Sequence, residues 1–330
     1  MRTASARTVS PMRRRTAFAV LIAGVALPGC GAGSSPRTTV TTAQATPTSS
    51  ASATTTTTAA GTARGTAVDD TKLPLGDGKY TTTPTKGSVD SCITQFNGGG
   101  AFRDGPWIDS TAKTWNVTSK IAVNGSVSWS GKISTTVEGS NLVISGNGLP
   151  TTPTGVYPVA SSDPAYNYDR NPNSIKGYTL EVKLPANPTV ASKPTCVGGT
   201  IGVSILGVPI FSAFDAGGRD APAHEVQDAC GGHPQMDGQY HFHSLSPCLR
   251  DTAGIDSGLF GYALDGFGIY AESGVSTADL DECHGRVSEI MWHQQKVSMY
   301  HYVATHDFPY LVGCYKGTPI HSATGLQIGP

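Results

Sequence analysis

The stretch GGHPQMDGQYHFH, residues 231–243, concentrates three of the chain's nine histidines in one short segment. Imidazole titrates near neutral pH and is the commonest protein metal ligand, so this density points to metal coordination or proton handling. His241 and His243 stand at His-x-His spacing. In a strand, alternate side chains share one face, which would turn both rings toward a single ion. The pair is therefore the expected core of a site for one divalent ion, zinc or copper. A third ligand is expected from His233, His224 or His301, with Asp237 or Asp265 as a carboxylate. The competing reading is a hydrogen-bonded histidine cluster on a polar strand face, and the glycine and glutamate spacings of a cupin site are absent.

Other chemistries find less support. There is no Gly-x-Ser-x-Gly nucleophile elbow and no Walker-type loop. HEVQD at 224–228 has the beginning of a zinc-protease motif without its second histidine. Asp265, Asp281 and Glu282 could pair for sugar cleavage, although acids in glycine-rich turns more often serve as turn and cap residues. No catalytic residue is assigned on this basis. A net charge of −1 provides no basic field, which argues against nucleic acid as a partner. The tyrosines of DPAYNYDRNPN and YHFH leave a small-molecule or glycan ligand open.

The start of the chain decides where such a site would work. Arg13, Arg14 and Arg15 precede the apolar run AFAVLIAGVAL and then LPGC, which ends at Cys30. A charged segment, a short apolar run and small residues before a cysteine form a secretory signal. LPGC resembles a bacterial lipobox, so residues 1–30 are expected to be a signal peptide. Cys30 is then the lipid-bearing first residue of a protein anchored on the extracytoplasmic face of the cell membrane. The run is shorter than the about 20 apolar residues that span a bilayer. MRRRTAFAVL is itself a complete signal start, which makes Met12 a candidate initiator. Residues 31–72 are rich in Thr, Ser and Ala and nearly devoid of large apolar side chains, so they are expected to form a disordered tether. The folded part is expected over 73–330, with a strand-rich first half at 73–200.

Alternation of β-branched and aromatic residues in TWNVTSKIAVNGSVSWSGKISTTVEGSNLVIS, residues 114–145, predicts a run of antiparallel strands broken at NG, SG and EGSN. GYTLEVKLP at 177–185 predicts another. Short helical turns are expected at AHEVQDAC and at TADLDEC, the second capped by Thr277. With 40 Gly and 22 Pro, the chain reads as a mainly β, loop-rich, sandwich-like protein with few short helices.

The second half repeats itself. IGVSILGVPIF (201–211) aligns with FGYALDGFGIY (260–270) through Gly202 with Gly261, Gly207 with Gly266, Ile210 with Ile269 and Phe211 with Tyr270. Each copy continues with Asp-x-Cys-x-Gly, then Tyr-His-aromatic, then a cysteine. Two equivalent units, 201–249 and 260–316, follow from this order. A repeated unit repeats its own staple, which predicts disulfides Cys230–Cys248 and Cys283–Cys314 and leaves Cys92 for Cys196. His241 and His301 are then equivalent, as in a structural role. His243 matches Val303, His233 matches Arg286 and Asp265 matches Leu206, so each of these three belongs to one copy alone.

YHFH at 240–243, with HEVQDACGGH before it and SLSPCL, GYALDGFGIY, DLDECHG, MYHY and FPYLVGCYKGTP after it, resembles the YHYH-domain family. SGNGLPTTPTGVYPV and DPAYNYDRNPNSI extend the resemblance over roughly residues 90–322. The family comprises exported bacterial proteins, with eukaryotic relatives, and transfers no established activity. Phe242 departs from the motif by lacking the hydroxyl of the second Tyr, and the second copy ends in Val303. Three functions stay in view: metal capture or display by a lipoprotein, a metal-dependent hydrolytic or oxidative enzyme, and a metal-free envelope binding or structural module.

Overall fold

A computed structural model of the protein describes residues 68–249 and 258–320. The expected signal, Cys30 and nearly all of the expected tether lie outside the described residues. Among the described residues, no helix is long and apolar enough to cross a membrane.

The first half contains five two-residue strands, β1 (Leu73–Pro74), β2 (Tyr80–Thr81), β3 (Val89–Asp90), β4 (Ile108–Asp109) and β5 (Thr114–Trp115). They are followed by an antiparallel three-stranded sheet of β6 (Ile133–Glu138), β7 (Asn141–Gly146) and β8 (Leu180–Pro185). Period-two burial is clean in β8, where Leu180, Val182 and Leu184 point into the core and Glu181 and Lys183 into water. Residues 116–132, expected to be strand, instead carry a single 3-10 turn capped by Asn116 and isolated bridges from Val123 to Asp228 and Val127 to Thr154. Their alternating side chains are spent on single contacts with distant loops, not on a ladder.

The second half builds one eight-stranded sheet from β9 (Thr200–Ser204), β10 (Pro209–Phe211), β11 (Gly232–Pro234), β12 (Tyr240–Phe242), β13 (Leu259–Ala263), β14 (Gly268–Ala271), β15 (Gly285–Trp292) and β16 (Gln295–Ala304). Its order, β11-β12-β10-β9-β13-β14-β16-β15, reads as the same four-strand path run outward twice from the centre. In each copy the first two strands are antiparallel, the second and fourth parallel, and the third and fourth antiparallel. The copies join through antiparallel β9 and β13. There Gly202 and Gly261 permit close approach: a Cβ on Gly202 would lie 2.5 Å from the Tyr262 carbonyl, and one on Gly261 2.5 Å from that of Val203.

Local signatures repeat with the topology. Asp228 accepts hydrogen bonds from the N–H groups of Cys230 and Gly232 and from the Tyr240 hydroxyl. Asp281 accepts those of Cys283, Gly285 and Tyr300. The disulfides Cys230–Cys248 and Cys283–Cys314 staple the two copies, and Cys92–Cys196 ties the early part of the first half to its end, just before β9. Three disulfides fit an oxidising, extracytoplasmic compartment. The helical turn expected at AHEVQDAC (223–230) forms earlier, as a single α-turn, α1 (Ala221–His224), capped by Asp220 and ended where Glu225 turns extended, and the one expected at TADLDEC is a 3-10 turn at Thr277–Asp279. The cap of the latter is Ser276, one residue before the expected Thr277, because Ser276 and Asp279 close a reciprocal capping box.

Candidate metal centre

The hairpin of β11 and β12 sets His233 directly opposite His241 in register. His243 follows the end of β12 on the same face as His241, while Tyr240 and Phe242 turn the other way into the core. All three histidines are buried. One potential ligand atom from each of the three lies within 4.8 Å of the others, a spacing that could hold a metal ion.

The hydrogen bonds decide what the rings present. His241 Nδ1 donates to the Gln239 carbonyl at 3.1 Å, and His243 Nδ1 donates to the Ser212 carbonyl at 2.6 Å. A carbonyl only accepts, so both Nδ1 atoms carry the proton, and each neutral ring keeps a bare lone pair on Nε2. Those two Nε2 atoms face each other at 3.0 Å. Burial holds the His243 pKa at about 4 and that of His241 well below the usual imidazole range, so a proton does not bridge them near neutrality. Two lone pairs at that distance repel unless a cation lies between. Phe211 stacks on His241 at 4.0 Å between centroids and meets His243 edge-on, which limits rotation of both rings.

His233 is held less firmly. Its Nδ1 is 3.4 Å from the Asn171 amide nitrogen, at the outer limit of a hydrogen bond, and its Nε2 has no hydrogen-bond partner. The Glu225 carboxyl completes the cluster, with Oε2 3.4 Å from His233 Nε2 and 3.5 Å from His243 Nε2. That oxygen is also buried without a hydrogen-bond partner. Burial, with Asp169 and Asp215 nearby, pushes the Glu225 pKa well above the carboxylate range. Two orphaned polar atoms facing one point mark a place where a further group would be bonded.

Glu225 was not among the expected ligands. Its only sequence signal is its position beside His224 in HEVQD, where the neighbouring histidine draws the attention. Lys120 fixes this segment by donating its half-buried side-chain nitrogen to the backbone carbonyls of Pro222 and Glu225 and to the Gln227 side chain. The remaining expected ligands have other partners. His224 sits between Asp77 and Asp104, at 3.0 Å from each. His301 bonds Glu272 at 2.6 Å in the other unit. Asp265 accepts from the Tyr302 hydroxyl and the Gly317 N–H. Asp237 lies in the exposed β11–β12 turn, where its N–H donates to the Gln235 side chain. A cavity of about 580 Å3 opens onto the cluster and reaches Glu225 and all three histidines.

These features define a disulfide-stapled β protein with a buried histidine cluster at the foot of a cavity. Residues 181–279 match the family model described as YHYH protein, and the chain carries a YHYH domain over that span. The match includes the whole histidine cluster and stops before Cys283, His301 and Cys314 of the second unit. No curated protein and no solved structure matches the chain.

Proposed function

We propose that this protein is an extracytoplasmic lipoprotein, anchored through Cys30, whose YHYH domain captures or displays one divalent transition-metal ion, zinc or copper. His241 and His243 would be the primary ligands, His233 the third, and Glu225 a carboxylate beside them. The observation that carries the reading is the pair of bare Nε2 atoms at 3.0 Å, each ring locked by a carbonyl on its far side. Backbone carbonyls in that position are the usual outer partners of metal-bound imidazoles. Two nitrogens about 2.1 Å from one zinc lie no more than about 4.2 Å apart, so the separations found here close with a small inward shift of His233. Three neutral imidazoles with a neighbouring carboxylate suit zinc and copper better than calcium or magnesium, which take oxygen ligands.

The cavity over the cluster favours a second reading, a metal-dependent hydrolytic or oxidative enzyme. Three protein ligands leave a coordination position facing that space, and Glu225 stands where it could handle a proton.

Metal analysis of the tagless, exported full chain tests the first reading: one equivalent of zinc or copper is expected, and none in a His241→Ala/His243→Ala variant. Substoichiometric metal in the parent after incubation with excess zinc or copper would move the protein to the metal-free binding or structural class. Hydrolysis or oxidation dependent on the bound ion would favour the enzyme. For the anchor, Cys30→Ala is expected to shift the protein into the soluble exported fraction, and continued firm membrane association would refute the lipid assignment.

A further inference from the structure

The cavity above the histidines has features that metal coordination does not use. Phe96 and Phe214 meet edge-on at 6.0 Å on one wall, and Phe211 backs His241 on the floor. At the rim, Ile93, Phe102 and Met236 leave 40%, 50% and 80% of their surface in water. Large apolar side chains gathered around one concavity mark a ligand groove better than the same residues scattered singly.

Arg170 supplies the charge at this rim. Its guanidinium lies 4.3 Å over the Phe102 ring and 5.4 Å from that of Tyr166. Arg219 is paired with Asp215 and Arg286 with Glu272, while Arg103, which stacks over Phe102 and Tyr168 without an ion pair, is not among the residues lining the cavity. Among the described residues, Arg170 has no carboxylate partner. Stacking occupies the face of the guanidinium and leaves its edge donors free, the arrangement that binds a carboxylate in two-pronged fashion. The next residue, Asn171, touches both His233 and the Pro234 carbonyl, so the backbone holding Arg170 is anchored to the floor of the same cavity.

We propose that the cavity is a binding site for a small aromatic carboxylate, with its ring among Phe96, Phe211 and Phe214 and its carboxylate on Arg170. This goes beyond the metal reading and does not require an ion in the floor.

Calorimetry on the metal-free full chain, with phenylacetate and its neutral isostere phenylacetamide as probes, tests it. Phenylacetate is expected to bind at least about tenfold more tightly than the amide, the factor expected for a charged hydrogen-bonded pair. Arg170→Gln should reduce phenylacetate to the level of the amide, and Phe96→Ala should weaken both. Equal affinity for the two probes, no phenylacetate binding by the parent, or undiminished binding by Arg170→Gln overturns the proposal. Zinc binding by Arg170→Gln, measured in the same preparation, is expected to equal that of the parent. A parent that binds zinc but not phenylacetate refutes this inference alone, and the reverse result refutes the metal reading alone.

Discussion

The two halves of the large sheet present the same four-strand path with opposite solutions to one electrostatic problem. In the first unit, His233 faces His241 across the hairpin; in the second, Arg286 faces His301 at the equivalent register. Both His241 and His301 donate Nδ1 to the carbonyl two residues earlier, at 3.1 Å in each case. Beyond that shared anchor the units diverge. His301 Nε2 and the Arg286 guanidinium both reach Glu272, so the second unit carries its own cation, Arg286, already ion-paired. In the corresponding region the first unit has three imidazoles that burial keeps neutral, with His233 in the place of Arg286, and a Glu225 whose pKa burial pushes well above the carboxylate range. The comparison teaches that the Nδ1 anchor of the Tyr-His-aromatic segment is common to both copies, and that the His241 ring meets further histidines only because His233 and His243 stand where the second copy has Arg286 and Val303. The same logic links two departures: Tyr302 bonds Asp265, whereas their counterparts Phe242 and Leu206 lack both the hydroxyl and the acid.

The largest expected effect breaks this asymmetry at its source. His241→Ala/His243→Ala should lose at least about a hundredfold in zinc affinity, the upper end of what loss of one outer partner of a ligand costs, while His301→Ala retains the parent's affinity. Titration against a chromophoric zinc chelator measures both, and a matching loss in His301→Ala would place the metal elsewhere.

Transplanting the difference is the next test. Arg286→His/Val303→His removes the built-in guanidinium and restores a histidine at each position where the first unit has one. Zinc stoichiometry is expected to rise from one to two, with the second site the weaker. An unchanged stoichiometry in a folded variant would show that the shared strand path is not sufficient to build the site.

A difference of pH dependence separates the units as well. Burial raises the Asp265 pKa to about 6 from the ordinary value of 3.8, despite hydrogen bonds from Tyr302, Gly317 and Phe267. The folded protein therefore holds a proton that the unfolded chain has released. Stability relative to Asp265→Asn should fall as pH rises from about 4 to about 6 and stay level above, by up to about 3 kcal/mol. Denaturant unfolding of both proteins across that range provides the check; a difference that grows in the opposite direction contradicts a raised pKa.

The smallest effects should be equal in the two units. Tyr240→Phe and Tyr300→Phe each remove a hydroxyl donated to the Asp of an Asp-x-Cys-x-Gly turn, and each should cost about 1–3 kcal/mol. Costs differing by more than that spread would show that the repeated turns do not carry equivalent loads.

Several features were legible from residues alone because they rest on local periodicity or on the repeat. Alternation along GYTLEVKLP marked β8, and the ordered recurrence of Asp-x-Cys-x-Gly, Tyr-His-aromatic and Cys predicted all three cysteine pairings. Period-two geometry also set His241 and His243 on one face, since a strand leaves no other choice to residues two apart. Which side chains meet that pair depended on chain segments far away. His233 arrives through the register of the β11–β12 hairpin, and Glu225 through the end of α1, where Lys120 holds its backbone from a hundred residues upstream. His224, next to Glu225, turns instead to Asp77 and Asp104, because the chain leaves the helical turn there and neighbouring side chains take opposite directions. Residue types and short spacings thus determined the pair of imidazoles. Tertiary structure alone decided their surroundings, because convergence of a third nitrogen and a carboxyl requires long-range register, burial and loop anchoring that no local pattern encodes.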